Sequence, residues 1–324
     1  MLLAGDIGGT KTNLALFEVE GELEPQSELT YKSRDYPNLK AVVAEFLSDT
    51  KASVDRAIFG VAGPVSDGKS ATTNLPWVIS EDTLKESMGV DKVKLLNDLE
   101  ATAYGVLHLK EDDLSTLNDE APRSGTKAVI APGTGLGEAV IFFRDGHYHV
   151  LPSEGGHADF GPNNLFEIEL LRHLLGKFGH VSYERICSGR GIPHIYDYLK
   201  INHYADELPE VAEALRKAKD PTPVIVDKAM DGTCELSLAT LNAFVSILGA
   251  EAGNLVLKVM ATGGVYVAGG IPPRILSKLK DGTFMASFVN KGRFADTLSH
   301  VPVHVVLNPK TGLLGAAAYG QQKM

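Results

Sequence analysis

Cysteine is nearly absent from this sequence: two in 324 residues, Cys187 and Cys234, far apart and with no CxxC pair. That excludes a disulfide framework and a zinc knuckle, and it predicts a reducing, cytoplasmic setting. Positive charge is also in deficit. Against 31 Lys and Arg stand 41 Asp and Glu, giving a formal net charge of −10 with the acids scattered. Such a surface argues against nucleic acid or an anionic membrane as partner. No uninterrupted apolar run reaches the roughly 18 residues of a membrane span. No basic segment precedes the N-terminal apolar stretch, which Asp6 interrupts, so no signal peptide is expected. What remains is ordinary globular composition, 44% hydrophobic and 22% charged, at a length that suits two domains.

The stretch that organises the chain is Leu2 to Phe17, LLAGDIGGTKTNLALF. Short apolar flanks predict two strands joined by a turn at Gly8-Gly9-Thr10. In a Walker loop or a Rossmann fingerprint the glycines would open a helix instead. Glycines let backbone N–H groups approach an anion closely. A carboxylate beside them would repel phosphate unless a cation such as Mg²⁺ stood between, which makes Asp6 the candidate for that contact. An ordinary hairpin turn would account for the same residues without a ligand.

Farther along, Leu29–Ser33 reads as a strand and 39–47 as a helix. Ala57–Ala62 is a buried strand, and Ser80 could cap a helix through Met88. Val93–Leu96 is a strand that ends at Asn97-Asp98, with a helix following from Leu99. Residues 110–126 turn polar and form the best candidate boundary. The opening theme then returns: strand Ala128–Ala131, glycine turn Gly133–Gly137, strand Ala139–Phe143, with Asp145-Gly146 predicting a further hairpin. Residues 165–179 and 193–219 read as mainly helical. Leu236–Met260 is a long apolar segment whose polar interruptions predict a buried helix rather than a membrane one. Val265–Ala268 and Val301–Leu307 are the last strands, and a small-residue helix follows Thr311-Gly312.

Three glycine turns follow strands, at Gly8-Gly9, Gly133–Gly137 and Gly269-Gly270. In two halves of a repeated pattern they suggest a nucleotide held between two domains. Asp98 sits at the carboxyl end of its strand, where open α/β sheets place ligands. It could serve as a general base or, equally, as a helix N-cap. Ser153-Glu154-Gly155-Gly156-His157 and the stretch around Glu184 gather acids and an imidazole beside glycines. That mixture suits a neutral polyol, whose hydroxyls need both donors and acceptors. Alternatively His157 is a zinc ligand or a core histidine, and Glu184 a solvated helix residue.

Five motifs, in order, resemble the actin/hexokinase/chaperone-ATPase superfamily. Gly5–Leu16 is similar to its first phosphate loop, Ile130–Ala139 to its second and Val265–Ile275 to its adenosine loop. Lys94–Gly105 and Thr311–Tyr319 are similar to its connecting segments. The resemblance implies an α/β fold of two domains with actin/hexokinase-like (ribonuclease H-like) architecture and an active-site cleft between them. The division expected is 1–109 plus 308–324 as a small domain and 110–307 as a large one.

More specifically, LLNDLEATAYG, APGTGLGEA, SEGGHADFGP and ERICSGRG together resemble the bacterial ATP-dependent glucokinase family, the group without a zinc-binding cysteine cluster. The resemblance implies transfer of the γ-phosphoryl of MgATP to the 6-hydroxyl of glucose. By position, Asn97, Glu154, His157 and Glu184 would hold sugar hydroxyls, with Asn74 and Gly135 lining the same site. Asp98 would meet the sugar as the base. Gly8, Gly9, Thr10, Lys11, Thr12, Asn13, Gly133, Thr134, Gly269 and Gly270 would surround ATP, and Asp6 would hold Mg²⁺ through water. The resemblance also implies a homodimer and no structural metal. Rival readings are a kinase for another hexose or amino sugar, a catalytically silent sugar-responsive regulator, and a chaperone- or actin-like ATPase. A regulator would need a DNA-binding extension or a lost base; since the chain starts at its first strand and Asp98 is present, neither is expected.

Overall fold

The computed structural model describes residues 1–72 and 75–324, which fall into two compact units. The first comprises Met1–Asp113 with Asn308–Met324, the second Leu114–Leu307.

In the first unit, β1 (Leu2–Ile7) and β2 (Lys11–Phe17) form the expected antiparallel hairpin, with Asp6 opposite Asn13. β3 (Ser27–Lys32) extends it, and β4 (Arg56–Val61) adds to β1 in parallel. A small ribbon of β5 (Lys69–Ala71) and β6 (Val78–Ser80), unforeseen in the sequence, precedes β7 (Lys92–Asn97). The sheet order is β3-β2-β1-β4-β7. β1 and β4 are buried along almost their whole length, as expected of strands covered on both faces. One face carries α1 (Leu39–Thr50), whose Leu39, Val42, Val43 and Phe46 recur at helical spacing and join Leu3, Phe59 and Trp77 in the core. Ser80 does occupy the N-cap of α2 (Glu81–Met88), but its side chain makes no capping hydrogen bond.

The other face is covered by α3 (Asp98–Val106) and the C-terminal helix Thr311–Lys323, packed on each other and on β1 and β4. Glycines make that approach possible. A Cβ on Gly315 would run into the Ala101 carbonyl, and one on Gly105 into the Thr311 carbonyl. Since the obstacle at Gly315 is backbone, it cannot swing aside. Gly315→Ala is therefore expected to destabilise the first unit by about 2–4 kcal/mol, read as a lower thermal or urea midpoint. An unchanged midpoint would contradict this packing.

The second unit contains β8 (Leu114–Thr116), β9 (Lys127–Pro132), β10 (Leu136–Arg144), β11 (His147–Ser153), β12 (Gly264–Val267) and β13 (Val303–Val306). Their order is β11-β10-β9-β12-β13-β8. With β8 set aside, this repeats the first unit: two antiparallel neighbours on one side of the leading strand, two parallel ones on the other. The sequence repeat is thus a repeat of sheet topology. Asp145 and Gly146 turn the β10–β11 hairpin with φ of 52° and 80°, the left-handed pair that matches strand twist.

Helix α4 (Leu165–Leu175) is followed by α5 (Ile192–Ile201) and α6 (Pro209–Lys217), where one mainly helical stretch was expected. Pro209 accounts for the break, because proline opens a helix readily and cannot continue one. α7 (Thr222–Met230) was not anticipated. α8 (Glu235–Val259) is long and apolar enough to cross a bilayer by length and composition, yet 72% of its most apolar window is buried among core side chains. It is the central core helix of this unit.

Candidate active site

At the turn between β1 and β2, the Gly8 N–H donates to the Lys11 carbonyl at 2.9 Å, and the Gly8 carbonyl accepts from Ser33 Oγ at 2.8 Å. Thr12 is fully buried with its hydroxyl 3.0 Å from Ser33 Oγ. It braces the turn from within. Thr10 and Lys11 are exposed. Asn13 donates to Asp6 at 3.4 Å and accepts from Thr30 at 2.9 Å, which fixes the amide orientation. Burial raises the Asp6 carboxyl above the usual carboxylate range, and the Asn13 hydrogen bond opposes this only in part. The start of the C-terminal helix lies beside it: a Cβ on Gly312 would sit 3.7 Å from the Asp6 carboxyl.

Two strands away, β7 delivers Asn97 and Asp98. The N-cap of α3 is filled by Asn97, whose Oδ1 accepts from the Leu99 and Glu100 N–H groups at 2.9 and 3.4 Å. Its amide nitrogen donates to the Gly63 carbonyl at 3.1 Å. Asp98 is thus the first helical residue, exposed, with Oδ1 accepting from the Leu99 N–H at 2.9 Å. Because its neighbour does the capping, the alternative reading of Asp98 as the cap falls away. Gly60, on β4 between the two acids, was missed; a Cβ there would sit 2.9 Å from Ala101 Cβ and crowd α3. Only its place in an apolar strand could have flagged it. Asn74 lies outside the described residues.

The second unit brings Gly135, Glu154, His157 and Glu184 together. His157 stands 3.8 Å from Glu154 through Nε2 and 4.0 Å from Glu184 through Nδ1. Glu184 Oε2 accepts from the Leu136 N–H at 3.0 Å, directly under Gly135, where any side chain would collide with it. The Ser188 hydroxyl closes on the Glu184 carbonyl at 2.7 Å. Ser153 Oγ accepts from the Gly155 N–H at 3.0 Å, and the Glu154 carbonyl from the His157 N–H at 3.0 Å, shaping a short 3₁₀ turn over Gly155–His157. Two carboxylates and an imidazole, partly open to solvent, with Glu184 held by the Leu136 N–H, can accept from and donate to several hydroxyls at once.

Gly133 repeats the pattern of Gly8: its N–H donates to the Gly135 carbonyl at 2.8 Å and its carbonyl accepts from the Gly189 N–H at 2.7 Å. Both leading glycines therefore spend their N–H groups inside their turns and their carbonyls on residues from outside them. Gly133, Thr134 and Gly270 line a cavity of about 180 Å³ with Gly189, Thr222, Pro223 and Arg274. Gly269 holds φ of 91° against the Pro132 carbonyl, a conformation and a space that only glycine tolerates. Arg274 lies in the Val265–Ile275 segment likened to an adenosine loop, whereas Thr222 and Pro223 were missed because nothing at 220–223 repeats a glycine-turn signal.

A model of the glucokinase family matches residues 3–323. The glucokinase of Trichormus variabilis is 41% identical over 338 residues, covering 98% of each chain. The crystal structure of a glucokinase from an Antarctic psychrotroph aligns with a TM-score of 0.85 at 31% identity, covering 98% of this chain and 97% of that one. A ROK family glucokinase from Streptomyces griseus, in complex with glucose and AMPPNP, shares the fold at a TM-score of 0.64 and 21% identity, covering 98% and 97%. With an actin/hexokinase-like α/β fold and a family match over nearly its whole length, this chain belongs to the glucokinase family.

Proposed function

We propose that the protein transfers the γ-phosphoryl group of ATP to the 6-hydroxyl of glucose, with Asp98 accepting the hydroxyl proton. The observation that carries this reading is the division of labour at the end of β7. Asn97 caps the helix, so the adjacent carboxylate need not. In phosphoryl transfer there is little covalent work for the protein, and catalysis rests on positioning and charge stabilisation. Asn97, Glu154, His157 and Glu184 would fix the sugar hydroxyls. Gly9, Thr10, Lys11, Asn13, Thr134 and Gly270 would present backbone and side-chain donors to ATP, with Gly8, Gly133 and Gly269 shaping the turns.

Among the described residues no cluster of three or more acidic, histidine or cysteine side chains could hold a metal ion. That suits Mg²⁺, which is usually bound by one or two carboxylates together with substrate phosphates and water. Asp6, desolvated and with one amide partner, fits as that carboxylate. When bound, Mg²⁺ would neutralise charge on the β- and γ-phosphates. A homodimer in the cytoplasm completes the reading, as the family resemblance implies.

The test is ADP release from MgATP with glucose, mannose, fructose, glucosamine or N-acetylglucosamine, beside a blank without sugar. Glucose-dependent release over a nearly silent blank is the expected result. Preferential release with another sugar would overturn the choice of glucose, and release without sugar would overturn the kinase.

A further inference from the structure

Behind the sugar-facing turn of the second unit lies a carboxyl that the proposed chemistry does not use. Glu138, on β10, is 1% exposed, and its Oε1 has no hydrogen-bond partner. It pairs in the ladder with Ser153, the residue that leads into Glu154 and the Gly155–His157 turn. A side chain at Gly155 would collide with Glu138 Oε2, so the turn lies directly on the carboxyl. Ser153 Oγ holds the Gly155 N–H at 3.0 Å in the same place. We propose that Glu138 is a positioning residue for the sugar-binding turn, setting glucose affinity through the backbone of Gly155 and leaving turnover to Asp98. This rests on the kinase reading above.

The groups facing Glu138 define how it acts. Glu251 and Lys258 approach from α8, and the buried Cys187 thiol lies near the same acids. Glu251, fully buried, already accepts from Lys258 at 2.9 Å and from Asn254 at 2.8 Å. Its countercharge is therefore engaged, and little is left for a second anion. Burial first, and then Glu251, push the Glu138 carboxyl up to about 7, with Lys258 opposing. A raised folded-state value gives stability that is fully present below the unfolded value near 4.5 and lost as pH rises toward 7. Above that the buried charge is complete and the penalty constant. Lifting the Gly155–His157 turn to admit water is the local way to relieve it. Glucose affinity should accordingly weaken as Glu138 ionises. His157 lies on the same turn and can contribute its own pH dependence, so the comparison must keep it in place.

The experiment measures glucose KM and kcat from pH 6.0 to 8.5 for the wild type, Glu138→Gln and Glu138→Met. The glutamine keeps the shape without titrating, and methionine keeps the length without polar atoms, so either variant suffices if the other folds poorly. Wild-type KM is expected to rise at least about threefold more across this range than that of a variant, with kcat within about twofold throughout. The thermal midpoint of Glu138→Gln should also gain on the wild type as pH rises from 6.0 to 7.5. Superimposable KM profiles with an active wild type would overturn this inference alone, as would a loss confined to kcat. A wild type that does not turn over glucose would overturn the kinase reading and this inference with it.

Discussion

Replacing Asp98 with asparagine is expected to lower kcat at least about a hundredfold, the lower end of general-base effects and equivalent to ~3 kcal/mol. Asparagine is nearly isosteric and retains an oxygen for the Leu99 N–H that Asp98 now accepts at 2.9 Å. The cap of α3 belongs to Asn97, so the helix does not depend on position 98 for its first turn. The side chain is exposed, so no core contact is lost. What disappears is a negative charge and a proton acceptor at the carboxyl end of β7. The KM for ATP and the thermal midpoint should stay close to wild type while kcat collapses. Wild-type turnover in Asp98→Asn would dismiss Asp98 as the base; a loss of folding would show that the residue is structural.

How much of this was legible in the sequence depended on whether a signal was local. The strands β1 and β4 declared themselves through apolar runs and the glycines that follow them, since burial on both faces leaves no alternation to misread, and α8 did so through its length. Glu154, His157 and Glu184 could be named as candidates because their neighbours are distinctive in type, and the structure groups them within about 4 Å of His157. The choice between cap and base at Asp98 could not be read from two adjacent capping-competent residues. The hydrogen bonds of Asn97 show that the cap is Asn97 and not Asp98. Thr12 was placed near ATP by resemblance alone; in β2 its side chain alternates inward, to Ser33. Thr222 and Pro223 reach their cavity through tertiary placement, which leaves no periodic trace. Glu138 was invisible for the same reason: a charged residue among apolar ones on a strand says nothing of what lies over it.

The second large effect is expected at Gly135. This glycine does not adopt the left-handed backbone, so alanine is permitted there by conformation. Space forbids it, because the methyl group would meet Glu184 Oε2. The carboxylate would have to give up the Leu136 N–H, now at 3.0 Å, and shift its other oxygen relative to His157. Displacing one charged partner of the sugar hydroxyls should raise the glucose KM about 10–100-fold, or ~1.4–3 kcal/mol, with the KM for ATP little changed. Because the damage is transmitted only through Glu184, it should not add to the loss of that residue. In a Glu184→Ala background, itself expected to show a similarly raised KM, Gly135→Ala should have little further effect, a coupling as large as the single-mutant loss. Full additivity of the two would mean that Gly135 acts on the sugar by another route. Near-wild-type KM in Gly135→Ala would mean that the carboxylate finds a second productive position. Coupling close to complete would tie the space at Gly135 to the affinity for glucose through a single carboxylate.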